Sequence, residues 1–79
     1  MYALIPIHDS AKSFGHKATV RQEGDRLILR SYQTDVAYIE NGTLKVYGTY
    51  SATTTRHIKE FARQNGFKAD TKKQVEQYI

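Results

Sequence analysis

The sequence contains no cysteine and no tryptophan, and it has only one proline and one methionine among 79 residues. Without cysteine the chain has neither disulfides nor thiolate metal ligands, which fits a reducing compartment. A long apolar run is also missing, and the first ten residues, MYALIPIHDS, carry no basic leader. We therefore expect no membrane span and no signal peptide, and we predict a cytoplasmic location.

The motifs that commonly carry catalysis are missing too. The sequence has no nucleophile elbow, no paired carboxylates and no glycine-rich phosphate loop. The spacings of His8, His16 and His57 match no established ligand pattern, so we predict no metal site. A chain of this length forms one domain at most and offers little concave volume. We therefore predict a single domain, residues 1–79, that is not an enzyme and needs no cofactor.

Basic residues are in modest excess over acidic residues, and the excess is unevenly distributed along the chain. Twelve lysines and arginines face eight acids, which gives a net charge of +4. Residues 1–50 hold six basic and five acidic side chains, whereas residues 51–79 hold six and three. A basic balance attracts phosphate groups, although a charge of +4 also suits a neutral partner.

Two hairpins and one edge strand are predicted in the first 48 residues. The segment KATVRQEGDRLILRSY turns around Gly24-Asp25, and DVAYIENGTLKVYG turns at Asn41-Gly42. The Asn-Gly pair is a strong hairpin signal because both residues tolerate the positive φ of a type I′ turn. Pro6 cannot donate to a sheet ladder, so YALIPIH is interpreted as a short edge strand.

Alternation along the strands sorts their side chains onto two sides of the sheet. The inner side is predicted to carry Ala18, Val20, Leu27, Leu29, Ala37, Ile39, Leu44 and Val46. The outer side is predicted to carry Thr19, Arg21, Ile28, Arg30, Val36, Tyr38, Glu40, Thr43, Lys45 and Tyr47. A slip of one residue would exchange the two sets.

The main helix is predicted from Ala52 to Asn65. Ser51 is the expected N-cap, and Asn65-Gly66 is a left-handed stop that brings Phe67 back onto the helix. The apolar face follows helical spacing and comprises Thr54, Ile58, Phe61, Ala62 and Asn65. The opposite, solvated face comprises Arg56, Lys59 and Arg63. A short C-terminal helix is expected over Thr71–Tyr78, with Asp70 as its cap.

These elements predict an α+β fold. A small antiparallel, meandering β-sheet of about four strands packs on one main α-helix, and a short C-terminal helix follows. The sheet has one apolar side that must be covered, and only the long helix is able to cover it.

Three segments, SFGHKA, SYQTDVAYI and YSATTTRHIKEFARQNGF, resemble a pattern in short uncharacterised proteins of phages and mobile elements of Gram-positive bacteria. The resemblance covers Ser13 to about Phe67 and leaves out the tail from Lys68. Its most specific part is the YSATT-RHI-EF portion. The resemblance implies a phage or mobile-element setting and no particular chemistry.

The stretch YSATTTRHIKEF suggests an anion site at the start of the main helix. Free N–H groups and the macrodipole attract anions there, and the residues able to join them are Ser51, Thr53, Thr54, Arg56 and His57. In the plainer interpretation Ser51 only caps the helix and Arg56 pairs with Glu60 one turn later. His57 is expected to pair, cap or bind phosphate.

The outer side of the sheet is a second candidate site. Basic and aromatic side chains alternate there, which suits DNA or RNA because cations hold phosphates and rings stack on bases. The residues are Arg21, Arg30, Lys45, Tyr38 and Tyr47. The alternative is an ordinary solvated sheet face. Ile28 and Val36 indicate that this side is partly covered, by the N-terminal strand or by a second subunit.

The leading functional hypothesis is a non-enzymatic accessory protein of a phage or mobile element that binds nucleic acid through the sheet. Two alternatives stay open. One is a protein-interaction module, including a homodimer, that engages a host or phage protein. The other is a small binder of phosphorylated ligands at the helix start.

Overall fold

The computed structural model describes all 79 residues as an antiparallel sheet with two helices. The strands are β1 (Tyr2–Ala3), β2 (Ala18–Glu23), β3 (Arg26–Ser31), β4 (Thr34–Glu40) and β5 (Thr43–Val46). The helices are α1 (Ala52–Gln64) and α2 (Lys72–Glu76). The predicted α+β class is confirmed, and the sheet has five strands because β1 adds to the two hairpins. Neither helix is long and apolar enough to span a bilayer.

The sheet is a meander in which each strand pairs with the next along the chain. In the second hairpin Ile39 lies opposite Leu44 and Ala37 opposite Val46, as predicted. Asn41 and Gly42 both have positive φ, 51° and 76°, which is the backbone that a type I′ turn requires. The predicted inner side is confirmed, because all its residues belong to the core or pack against it.

Val36 departs from the predicted alternation. Leu29 pairs with Ala37 but the next residue, Arg30, pairs with Asp35, so β4 carries one extra residue at Val36. This β-bulge turns the side chain inward, and Val36 is 1% exposed within the core. The prediction that Val36 lies on the outer side was therefore wrong.

The ends of α1 follow their local signals. Ser51 accepts the backbone N–H of Thr54 at 3.3 Å as N-cap. At the other end Gly66 has φ of 85°, and Phe67 N–H reaches the carbonyl of Ala62 at 2.9 Å. This is the predicted Schellman arrangement. The helix ends at Gln64, one residue earlier than predicted, and Asn65 is exposed rather than part of the buried face.

The N-terminal and C-terminal segments differ in detail from the predictions. Pro6 lies beyond β1, which pairs with β2 at the edge of the sheet and extends it instead of covering its outer side. The second helix is shorter than the predicted Thr71–Tyr78. Thr71 is its N-cap, accepting from Gln74 N–H at 3.2 Å, and Asp70 pairs with Arg63.

The core lies between the inner side of the sheet and α1, with Ala69 and Val75 closing its C-terminal end. Five buried residues are polar: Ser31, Thr54, Thr55, His57 and Glu60. Burying a polar group costs free energy unless it is hydrogen-bonded. The hydrogen-bond partners of these five residues therefore need to be identified.

Candidate functional site

One cavity of about 310 Å³ opens at the N-terminal end of α1. Three parts of the chain form it: the loop between β1 and β2, the turn between β3 and β4, and the first turns of α1. Its lining residues are Ala11, Ser13, Phe14, Gly15, Lys17, Tyr32, Thr53, Arg56 and His57. Residues distant in sequence therefore meet at the place where the hydroxyl-rich helix start was expected to bind an anion.

The β1–β2 loop forms one wall because it makes a tight turn. Lys17 N–H donates to the carbonyl of Phe14 at 3.1 Å, and the two residues between them, Gly15 and His16, have φ near +60°. The loop then bonds to the β3–β4 turn, since Tyr32 N–H donates to the carbonyl of Lys17 at 2.6 Å. This bond holds the two walls together.

Tyr32 has an unusual backbone for a bulky residue, with φ of 57°. Its side chain is half exposed at the mouth of the cavity. One ring face lies near the Lys17 ammonium, whose nitrogen is 5.7 Å from the ring centroid. Left-handed backbone in a non-glycine residue costs free energy and concentrates at functional sites. The turn therefore holds an aromatic ring at the rim.

His57 is the most buried residue of the lining, with 1% of its surface exposed. Its Nδ1 is 2.8 Å from the Ser31 hydroxyl, which is 3.0 Å from that of Thr54. No buried side-chain nitrogen or oxygen lacks a partner in the structure. Nδ1 makes the only hydrogen bond of the ring, so Nε2 is not one of the fully buried atoms. Since His57 lines the cavity, we infer that Nε2 faces it.

The surroundings of His57 favour the neutral ring. Burial lowers the pKa of His57, the nearby Arg56 cation lowers it further, Asp9 raises it, and Lys17 lowers it. Phe14 packs edge-on against the ring, with centroids 4.6 Å apart. The cavity therefore presents a neutral imidazole nitrogen between aromatic and cationic neighbours.

Arg56 does not pair with Glu60, so that part of the plainer interpretation was wrong. It donates from Nε to Asp9 at 3.0 Å and from Nη2 to the other carboxylate oxygen. Together with the backbone N–H of Ala11, this pairing lowers the pKa of Asp9 to about 2. The guanidinium carries five N–H donors, and Asp9 uses only Nε and Nη2. The Nη1 group therefore remains free to donate.

Glu60 is occupied by the N-terminal segment. Its buried carboxylate accepts the backbone N–H groups of His8 and Asp9 at 2.8 and 2.9 Å, and the amide of Gln64 at 2.8 Å. Burial raises the pKa of Glu60, but these hydrogen bonds lower it by more. The segment before the cavity loop is thus attached along one stripe of α1.

The outer side of the sheet carries the predicted basic and aromatic residues, but one of its arginines is held in ion pairs. Arg21 bonds Asp35 through both carboxylate oxygens at 2.8 Å and Glu23 at 2.6 Å, which raises the pKa of Arg21. Arg30 and Lys45 belong to none of the five ion pairs. Tyr38 and Tyr47 lie together, with ring centroids 5.6 Å apart.

A family model described as a family of unknown function, DUF8033, matches residues 2–77. The chain belongs to this family. The match reaches beyond the Ser13–Phe67 resemblance at both ends and includes the tail from Lys68. No curated protein and no solved structure matches the chain significantly.

In this DUF8033 chain the cavity gathers only part of the predicted anion site. Thr53, Arg56 and His57 line it, whereas Ser51 caps the helix and Thr54 turns its hydroxyl inward to Ser31. The lining also includes Phe14, Lys17 and Tyr32, which the sequence did not associate with the helix. The SFGHKA pattern was a signal for the loop, but no local rule shows where a loop packs. No group of three or more His, Cys, Asp or Glu side chains is placed to hold a metal.

Proposed function

We propose that this protein is a non-enzymatic binding module that holds a small phosphorylated ligand in the cavity at the start of α1. The observation that carries the proposal is His57, a buried ring with one nitrogen left for the cavity, in a lining that includes Lys17 and Arg56. A polar group that faces a cavity and has no protein partner is available to a ligand atom.

The chemistry of the lining suits an anion. Lys17 supplies an ammonium group that makes no ion pair, and Arg56 supplies the donors that Asp9 leaves free. Thr53 adds a hydroxyl from the first turn of the helix, where unpaired N–H groups and the macrodipole favour negative charge. Hydrogen bonds between charged partners are the strong ones, so these groups together support phosphate binding.

The position of Ser31 supports binding rather than nucleophilic catalysis. Its hydroxyl lies within hydrogen-bonding distance of His57 but is only 2% exposed, and it also contacts Thr54. A serine nucleophile must reach its substrate. We therefore interpret Ser31 and Thr54 as residues that orient the imidazole.

Replacing the unpaired cation tests the proposal. Lys17→Gln should weaken the binding of inorganic phosphate about tenfold, because a charge-assisted hydrogen bond is lost. Lys45→Gln is the matched control, since it removes one exposed, unpaired cation from the sheet. Affinities measured by calorimetry at low salt decide the matter. Equal weakening in both variants, or no binding by the unmodified protein, would exclude the cavity as the site.

A second candidate function is nucleic-acid binding through the outer side of the sheet. It is favoured by the unpaired Arg30 and Lys45 and by Tyr47, which is half exposed. The ion pairs of Arg21 with Asp35 and Glu23 weaken its case, because carboxylates there repel phosphates and occupy the guanidinium.

The pairing of Arg21 makes this second function testable. Arg30→Ala should weaken binding to a short DNA duplex or single strand and reduce the salt slope by about one charge. Arg21→Ala should have a smaller effect. If the unmodified protein binds neither form of DNA at low salt, the sheet has no such function.

The setting we propose is that of an accessory protein of a phage or mobile element, acting in the host cytoplasm. It is supported by the resemblance of YSATTTRHIKEF and its flanking segments to short proteins of such elements. The cavity includes residues of all three segments: Phe14 and Lys17 in SFGHKA, Tyr32 in SYQTDVAYI and Arg56 in the helix start.

A further inference from the structure

The proposed phosphate site has more apolar wall than a phosphate ion needs. Ala11, Phe14 and Tyr32 contribute apolar surface to the same cavity as Lys17 and Arg56. Cavities that bind small molecules combine apolar walls with a few polar groups, and a bare phosphate would contact only the polar part. The apolar part therefore indicates a ligand that carries a hydrophobic group beside its anion.

The position of Tyr32 indicates that this hydrophobic group is a planar ring. The ring stands half exposed at the rim, fixed by a turn whose Ser31 bonds His57 and whose Tyr32 N–H bonds Lys17. Its centroid is 5.9 Å from that of His57 and 5.7 Å from the Lys17 nitrogen. A ring stacked on Tyr32 would thus lie next to an anion held by Lys17. Stacking on an aromatic side chain is how proteins hold planar bases without reading their edges.

The size of the cavity limits the ligand to one such unit. A volume of about 310 Å³ lies at the small end of the range for ligand sites. It accommodates one ring with one phosphorylated sugar, so any further nucleotide would lie outside the cavity. We infer that the ligand is a nucleoside monophosphate, with its base on Tyr32 and its phosphate at Lys17, Arg56 and His57; this inference rests on the proposed phosphate site.

Four probes separate the base from the phosphate: AMP, ribose 5-phosphate, adenosine and inorganic phosphate. AMP should bind about tenfold more tightly than ribose 5-phosphate, because only AMP adds the stacking contact. Adenosine, which lacks the phosphate, should bind more weakly than AMP. If ribose 5-phosphate and AMP bind equally, the nucleotide inference is wrong while the phosphate site stands. If no phosphorylated probe binds, both fail.

Two variants at the rim test the stacking directly. Tyr32→Phe keeps the ring and should keep the preference for AMP. Tyr32→Asn removes the ring, and asparagine tolerates the positive φ of this turn, so the fold should persist while the preference for AMP over ribose 5-phosphate disappears. A preference that survives in Tyr32→Asn would overturn the inference.

A nucleoside monophosphate unit occurs both as a free nucleotide and at the end of a nucleic-acid strand. A 5′-phosphorylated tetranucleotide compared with AMP distinguishes them. Comparable or tighter binding of the tetranucleotide assigns the cavity to strand ends. Much weaker binding assigns it to the free nucleotide. Failure of both ligands overturns the inference.

Discussion

His57 is part of the buried core and also part of the cavity lining. Ser31 holds its Nδ1 at 2.8 Å inside the core, and Nε2 serves the cavity. Burial, Arg56 and Lys17 lower the pKa of His57, against the opposing effect of Asp9. An anion in the cavity acts in the other direction, because it favours the imidazolium form. We therefore expect anion binding in the cavity to be linked to protonation of His57.

This linkage predicts a pH dependence. Sulfate, which keeps its charge through the range, should bind more tightly as pH falls below about 6.5, the ordinary value for histidine. Without ligand, a fall in pH instead lowers the stability of the fold. Because the folded-state pKa of His57 is lowered, its contribution to stability is complete above the ordinary value and is lost as pH falls. NMR titration of the His57 ring should show its pKa moving upward in sulfate.

The exposed imidazole of His8 provides the control for this titration, since it lies outside the cavity. Its ring signal should stay unchanged when sulfate is added at constant pH. Sulfate affinity that stays constant from neutral to mildly acidic pH would contradict the role assigned to His57.

Sequence reasoning located His57 but not its environment. The helical pattern placed Ile58, Phe61 and Ala62 on the buried face, whereas His57 and Glu60 were not assigned to the core. Both are buried because of partners distant in sequence, Ser31 in one case and the backbone of residues 8–9 in the other. Periodicity measures apolar content, so it cannot identify polar residues whose burial depends on tertiary partners.

Among the elements, α1 holds the segment of residues 5–9 in place. Arg56, Glu60 and Gln64 are spaced four residues apart and share one stripe of the helix. They bond Asp9, the amides of residues 8–9, and the carbonyl of Ile5 at 2.7 Å. The stripe thus positions the segment that leads into the cavity loop.

Glu60 is the central residue of this stripe, and its replacement should loosen the segment. Glu60→Ala should lower the free energy of unfolding by about 1–3 kcal/mol, because the two amides lose their acceptor. Amide hydrogen exchange of His8 and Asp9 should accelerate. Glu60→Gln keeps one acceptor oxygen and should cost less. Denaturant unfolding with exchange measurements checks both effects, and unchanged protection in Glu60→Ala would contradict this assignment.

The predictable elements were those with local causes. The Asn41-Gly42 turn, the Ser51 cap and the Gly66 stop each depend on a few neighbouring residues, and each was predicted correctly. The bulge at Val36 depends on how β3 and β4 pair. Alternation within one strand carries no information on such pairing, so it assigned Val36 to the wrong side.

At the scale of the whole molecule, the two candidate surfaces differ in how their charges are balanced. On the sheet, Arg21 pairs with Glu23 of its own strand and with Asp35 of β4, and Arg26 pairs with Glu40 of β4. At the cavity, Asp9 occupies part of Arg56 while Lys17 stays unpaired. The net charge of +4 does not distinguish these surfaces, because pairing is decided by the fold. We therefore propose the cavity, before the sheet, as the anion-binding site.

The most direct measurement is a map of backbone amide shifts in the unmodified protein during a phosphate titration at low salt. We expect saturable shifts around the cavity, at Gly15, Tyr32 and Thr53 to Arg56, with little change along β5. Shifts centred on Arg30 and Lys45, or no saturable shift in millimolar phosphate, would contradict the claim that the cavity is the binding site.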